Sequence, residues 1–259
     1  MAETLAVNGG TPVRSEPLPA RALWGQEEKD AAMRMFDEAI ETGGVIGYSG
    51  PEELAYEKEF AEYMGGGYVD LVNSGTNAVY VALGALQLPP GSEVVVPPIT
   101  DPGGAMPVAL HNLIPVVADA APGTFNAGAS QIEAVITERT SAILIAHIAG
   151  EPCDMGPIMA VAEKHNLPVI EDCAQAHGAR YDGQICGSFG TIAAVSTMSG
   201  KHHATGPQGT RLVRQLHATR TFQPVLHIHR LRLLVVLCMY RWSSVLAFRG
   251  TDLGGQALR

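Results

Sequence analysis

The chain has 259 residues, enough to bury a sizeable core as one large domain or two smaller ones, and 46% hydrophobic with 17% charged residues describes a globular protein, not a disordered one. A formal charge of -9 argues against a nucleic-acid partner, which needs a basic patch or stripe. The opening "MAETLAVNGGTPVRSEPLPAR" lacks the basic and apolar regions of a secretory signal, so a cytoplasmic location with no membrane partner is expected.

From residue 68 onward, short apolar runs alternate with helix-length segments. The first run, "YVDLV" (68–72), leads into the small-residue turn Asn73-Ser74-Gly75-Thr76 and then a helix. "EVVVP" (93–97), "LIPVVAD" (113–119) and "SAILIAH" (141–147) are further strands, rich in Val and Ile. "SQIEAVITERT" (130–140) and "DMGPIMAVAEKHN" (154–166) carry apolar residues at helical spacing. "LPVIED" (167–172) and "TIAAVS" (191–196) complete the strands, and Gly178, Gly183, Gly187 and Gly190 between them mark a tight excursion. This alternation predicts βαβ units: an α/β fold with a mostly parallel sheet covered on both faces.

In such sheets ligands bind beyond the carboxyl ends of the strands. Three places there carry chemistry. The turn at 73–76 aims free backbone N–H groups and a positive helix end at a common point, which on its own is the pattern of a common Ser/Thr cap and also suits phosphate. The strand 167–172 delivers Glu171 and Asp172 at its end, where an Asp can neutralise a cationic ring nitrogen or cap the next turn. In "STMSGKHHATGPQG" (196–209), Ser196 closes a strand and Lys201 follows in a Gly-containing loop. A lysine there is either solvated surface or a pocket amine; adjacent His202 and His203 diverge too far to share a metal, and no metal is expected.

The four cysteines (Cys153, Cys173, Cys186, Cys238) form no C-x-x-C pair and read as free thiols. Charge divides the chain at residue 209. Of its 17 Lys+Arg, eight are arginines in 210–259, where Asp252 is the single acid, so this segment is +7 against -16 before it. The shift predicts an atypical Arg-rich tail: either an altered reading frame or a basic amphipathic segment built on "LRLLVVLCMYRW", whose apolar run (233–240) is too short to span a bilayer.

A phosphate-seating turn, an acid at a strand end and a lysine in a small-residue loop are together what pyridoxal phosphate requires. The stretches "LAVNGGTPVR", "GYSGPEELAYEKEFAEYMG", "NSGTNAVYVALGAL", "VITERTSAILIAHIAGEPCDM", "VIEDCAQAHGARYDGQICGSFG" and "STMSGKHHATGPQG" resemble, in this order, the DegT/StrS family of pyridoxal-phosphate-dependent sugar aminotransferases, members of fold type I. The resemblance implies a three-layer α/β/α large domain over residues 1–209, with 1–50 as an N-terminal arm. It implies Lys201 as the Schiff-base lysine and Asp172 as partner of the ring nitrogen. Gln175 falls at the ring or its phenolic oxygen, and Gly75, Thr76 and Ser196 at the phosphate. The implied activity moves an amino group from glutamate or glutamine to a ketosugar or a related cyclitol, in a homodimer.

Two departures stand out. Where relatives have a ring-stacking aromatic, this chain has Ile99, Thr100 and Asp101. Relatives also continue past a "GPQG"-like turn into a longer C-terminal part, so an incomplete chain is expected, and a catalytically dead fragment is the alternative. A dehydratase branch resembles the family with His in place of the lysine; Lys201 favours the aminotransferase.

Overall fold

In the computed structural model, which describes residues 4–17, 24–46, 50–205 and 209–213, two helices precede the first strand. Helix α1 (Gln26–Thr42) has Glu27 and Glu28 in its first turn, where the positive helix end favours acids, and the Glu28 carboxylate accepts the Gly25 N–H at 2.6 Å. Of its side chains Ala31 alone is buried, although Ala32, Met35, Phe36, Ala39 and Ile40 recur at helical spacing. Helix α2 (Pro51–Tyr63) starts on a proline, whose missing N–H would have no helical partner there, and buries Tyr56 and Phe60.

The alternating segment follows as β1 (Tyr68–Val72), α3 (Gly75–Ala85), β2 (Glu93–Val96), α4 (Pro102–Leu110), β3 (Ile114–Val117), α5 (Ala129–Ala134) and β4 (Thr140–Ala146). Then come α6 (Met155–Lys164), β5 (Val169–Asp172), the two-residue strands β6 (Arg180–Tyr181) and β7 (Gln184–Ile185), β8 (Ile192–Ser196) and β9 (Gly209–Val213). All six expected strands are present. The 130–140 helix is shorter than its spacing suggests. Beyond Ala134 the Thr140 hydroxyl accepts the Thr137 N–H at 2.9 Å and Arg139 pairs with buried Glu93, which turns the chain into β4.

Seven strands form one sheet in the order β1-β9-β8-β5-β4-β2-β3, and β6 pairs with β7 in a separate hairpin, the glycine-marked excursion. Strands β3, β2, β4, β5 and β8 run parallel, and β9 is antiparallel to both β8 and β1. Because side chains alternate along a strand, β1, β2, β4, β5 and β8 each feed two cores, while the edge strand β3 is largely exposed. Val94, Val96, Ala142, Leu144 and Ile170 pack under α3 and α4. Val95, Ile143, Ile145 and Val169 pack under α5 and α6 on the other face, and Val69, Leu71, Ala193 and Val195 meet α2 there. This is a three-layer α/β/α arrangement. Ile143, Leu144 and Ile145 are fully buried, each contributing about 1.5–3 kcal/mol of transfer free energy.

One edge of the sheet gathers several strand ends. Gly209, the first residue of β9, pairs with Val72 at the end of β1 and with Ser196 at the end of β8. The loop carrying Lys201 is therefore closed at its feet by the ladder, beside the end of β5 at Asp172. Strand β9 also straddles the boundary that composition draws after residue 209. The Arg-rich tail from residue 214, its apolar run at 233–240 and Cys238 lie outside the described residues. Among the described residues no helix is long and apolar enough to cross a membrane.

Candidate active site

Strand β1 hands over to α3 within two residues. Ser74 is the N-cap, its hydroxyl accepting the Asn77 N–H at 3.1 Å, while the Asn73 and Asn77 side chains bond to each other. Gly75 and Thr76 are thus the first helical residues rather than part of a preceding turn, and their N–H groups have no acceptor within the helix. Gly75 lies against the end of β8: a Cβ there would stand 2.6 Å from the Ser196 Cβ.

A second helix start faces the same space. Asp101 caps α4, its carboxylate accepting the Gly103 N–H at 3.0 Å. Added Cβ atoms at Gly103 and Gly104 would run into the Thr76 and Thr100 hydroxyls respectively, and the one at Gly104 would also lie 3.1 Å from Asp172 Oδ2. Together Asn73–Thr76, Asp101, Gly103, Gly104, Asp172, Ala174, Ser196, Met198 and Lys201 line a cavity of about 280 Å³.

Asp172 and Glu171 are neighbours with opposite destinations, as strand alternation demands. Asp172 faces the cavity, and its Oδ1 accepts the Ala174 N–H at 3.0 Å. Burial pushes its carboxyl above the ordinary range, against the pull of the Ala174 N–H, Lys201 and His147 and with a small addition from Asp101. Glu171 faces the other way and is fully buried. It accepts the N–H groups of Gly187 at 2.7 Å, Phe189 at 2.8 Å and Gly190 at 2.5 Å. His147 approaches it through Nε2 at 3.2 Å, while His147 Nδ1 accepts the Cys153 N–H at 2.9 Å. That bond leaves the ring proton on Nε2, directed at the carboxylate.

Lys201 is half-buried in a turn closed by its own N–H on the Met198 carbonyl at 2.9 Å. Gly200 makes the turn possible with a φ of 110°, which a side chain rarely adopts. His202 and His203 do not act as a pair. The His203 ring stacks on Tyr56 of α2 with centroids 5.7 Å apart, and its Nε2 lies 3.1 Å from the Tyr56 hydroxyl. Among the described residues, the His/Cys/carboxylate group with the reach to hold a metal is His147, Glu171 and Cys173, and the His147 and Glu171 donor atoms are already engaged as above.

Five of the six sequence-derived site residues, Gly75, Thr76, Asp172, Ser196 and Lys201, meet at this one cavity. Gln175 does not line it; its side-chain carbonyl accepts the Ala149 N–H at 2.9 Å. Ile99 and Thr100 are not among the lining residues, and among the described residues that line the cavity none is aromatic. Sequence reasoning missed the α4 start. "TDPGG" holds its signal, an Asp N-cap followed by Pro at the first helical position.

A model of the DegT/DnrJ/EryC1/StrS aminotransferase family matches residues 26–219. GDP-perosamine synthase of Caulobacter vibrioides is 45% identical over 156 residues, which is 60% of this chain and 42% of that protein. L-glutamine:2-deoxy-scyllo-inosose aminotransferase of Streptomyces lividus is 35% identical over 226 residues, 85% of this chain and 52% of that protein. Among solved structures, an aminotransferase from Psychrobacter cryohalolentis superimposes with a TM-score of 0.70 at 40% identity, over 76% of this chain and 49% of that one. The chain spans about half the length of the curated relatives it matches.

Proposed function

We propose, from the premise that this chain belongs to the DegT/DnrJ/EryC1/StrS aminotransferase family, that its cavity binds pyridoxal phosphate for amino transfer to a ketosugar or a related cyclitol. The observation that carries this reading is the convergence of an open helix start, a buried carboxyl and a lysine on one space. The residues fit the cofactor. Gly75 against Ser196 leaves a cradle that a single Cβ would fill, and the α3 start leaves the Gly75 and Thr76 N–H groups without a helical acceptor, which suits a phosphate dianion. Asp172, raised by burial, is the kind of carboxyl that a cationic ring nitrogen would return to its charged form.

In this reading Gly75 and Thr76 hold the phosphate through backbone and hydroxyl, with Ser196 as a further ligand. Asp172 holds the proton on the ring nitrogen. Gln175 does not line the cavity; with its carbonyl committed to Ala149, its amide N–H₂ would have to turn inward to reach the ring's phenolic oxygen. When bound, the cofactor supplies an electron sink for the bond broken at the donor's Cα. Lys201 Nζ is the amine that would anchor the cofactor in the cavity. The same Nζ, when free, would serve as the general base for the donor's Cα proton and then as the acid that gives it back.

The names of two relatives support this acceptor class, one a GDP-perosamine synthase and one an L-glutamine:2-deoxy-scyllo-inosose aminotransferase. Either glutamate or glutamine serves as donor in this proposal, the cofactor-binding unit is residues 1–209, and the working assembly is a homodimer. The test is to incubate the purified chain and its Lys201→Arg variant with pyridoxal phosphate, each donor, and panels of nucleotide-linked ketosugars and keto-cyclitols. Mass spectrometry reads the products. An amino sugar or aminocyclitol formed by the wild type and not by the variant supports the proposal. A deoxysugar, or no product with any donor, contradicts it.

A further inference from the structure

Lys201 sits in a loop with few regular contacts, yet the loop is tied down at specific atoms. At its base the Thr197 and Thr205 hydroxyls bond at 2.7 Å, and the Thr205 N–H reaches the Thr197 carbonyl at 2.9 Å. Nearer the lysine the tie comes from another element. The turn that leaves β5 carries His177, five residues after Asp172, and His177 Nδ1 accepts the His203 backbone N–H at 3.2 Å. The His202 ring meets the His177 ring edge-on with centroids 6.0 Å apart.

We propose that His177 is the positioning residue of the Lys201 loop, its Nδ1 holding the His203 N–H so that the turn carrying Lys201 stays in register with the strand end carrying Asp172. A backbone N–H can only donate, so the bond requires Nδ1 to be unprotonated and the imidazole neutral. The surroundings enforce that form. Burial first, then His203, His202 and Lys201, push the His177 pKa down to about 4, with only the Ser196 carbonyl acting upward. The acceptor therefore persists across the whole physiological range. The consequence for Lys201 chemistry rests on the proposed function above; the bond itself does not.

The test uses the full chain with three substitutions. His177→Asn places a side-chain carbonyl where Nδ1 lies. His177→Phe keeps the ring volume without an acceptor, and His177→Gln keeps polarity but carries its carbonyl to the Nε2 position. Two quantities are read: hydrogen exchange at the His203 amide, with the β5 and β8 amides as folding controls, and the rate at which pyridoxal phosphate with borohydride labels Lys201. The expected result is exchange at His203 about 3- to 10-fold faster in H177F and H177Q, with slower labelling of Lys201, and both quantities within about 2-fold of wild type in H177N. If H177F loses control-amide protection, H177Q carries the comparison.

Equal His203 exchange in all four proteins, or an H177N that behaves like H177F, overturns the proposal. So does unchanged Lys201 labelling in variants whose His203 exchange has risen. A wild type that takes no label at Lys201 while the exchange pattern holds supports the bond and overturns the catalytic reading of Lys201 instead, so the two failures are distinct.

Discussion

Gly75 shows how much a single side chain decides. Its Cα faces Ser196 so closely that an added methyl would stand 2.6 Å from the Ser196 Cβ and 3.3 Å from its Cα, a contact with backbone that no rotamer change relieves. Gly75→Ala is expected to lower stability by about 1–3 kcal/mol through overpacking and to weaken pyridoxal phosphate binding at least 10-fold. Denaturant midpoints and a binding titration check both. A variant with wild-type affinity would mean that the phosphate is held elsewhere. That Lys201 and Asp172 would meet at one space was legible from the order of motifs and the family resemblance together, since alone a lysine reads as solvated surface and an Asp at a strand end as a cap. Gln175 was legible as a residue but not in its partner, since the Ala149 N–H comes from a loop 26 positions away that no local pattern reveals. Gly103 and Gly104 read locally as turn formers, and their role as room around Thr76, Thr100 and Asp172 exists only in three dimensions.

At the scale of elements, the strands were legible because each is an apolar run bounded by turn residues, and β2, β4, β5 and β8 are buried on both faces while β3 at the edge is largely exposed. Helix α1 lies before residue 68, where the alternation of apolar runs begins; Ala32, Met35, Phe36, Ala39 and Ile40 recur at helical spacing there, yet Ala31 alone is buried. The packing of α2 on β1 carries a pH-sensitive group that the sequence also hid. Glu57 accepts the Leu71 N–H at 3.0 Å, and burial, assisted by Asp70 and Glu53, raises its pKa from 4.5 to about 7. The folded chain therefore keeps a proton that the unfolded chain releases above about pH 4.5. The stabilisation is fully present below that pH and is lost as pH rises through about 7. Glu57→Gln, which keeps an acceptor for Leu71, is expected to remove this loss. Guanidinium midpoints of wild type should fall relative to the variant between about pH 5 and pH 8. Parallel curves would show that Glu57 is ionised throughout.

Across the whole molecule, one edge of the sheet collects the ends of β1, β5 and β8, the starts of α3 and α4, and the Lys201 loop. The order of motifs along the chain announced three of these parts. Their convergence depends on β9, whose first residue pairs with both Val72 and Ser196 and which continues across the point where the composition changes. A reading based on charge alone placed a boundary there, because composition registers constraint on side chains while a ladder is made by backbone. The proposed role of this edge is to hold pyridoxal phosphate with Lys201 as its covalent anchor. The most direct test is the visible absorption spectrum of the purified chain with pyridoxal phosphate, before and after borohydride, followed by peptide mapping of the reduced adduct. The account predicts an absorption band that borohydride abolishes and a label confined to Lys201. No band, or label spread over other lysines, would contradict it.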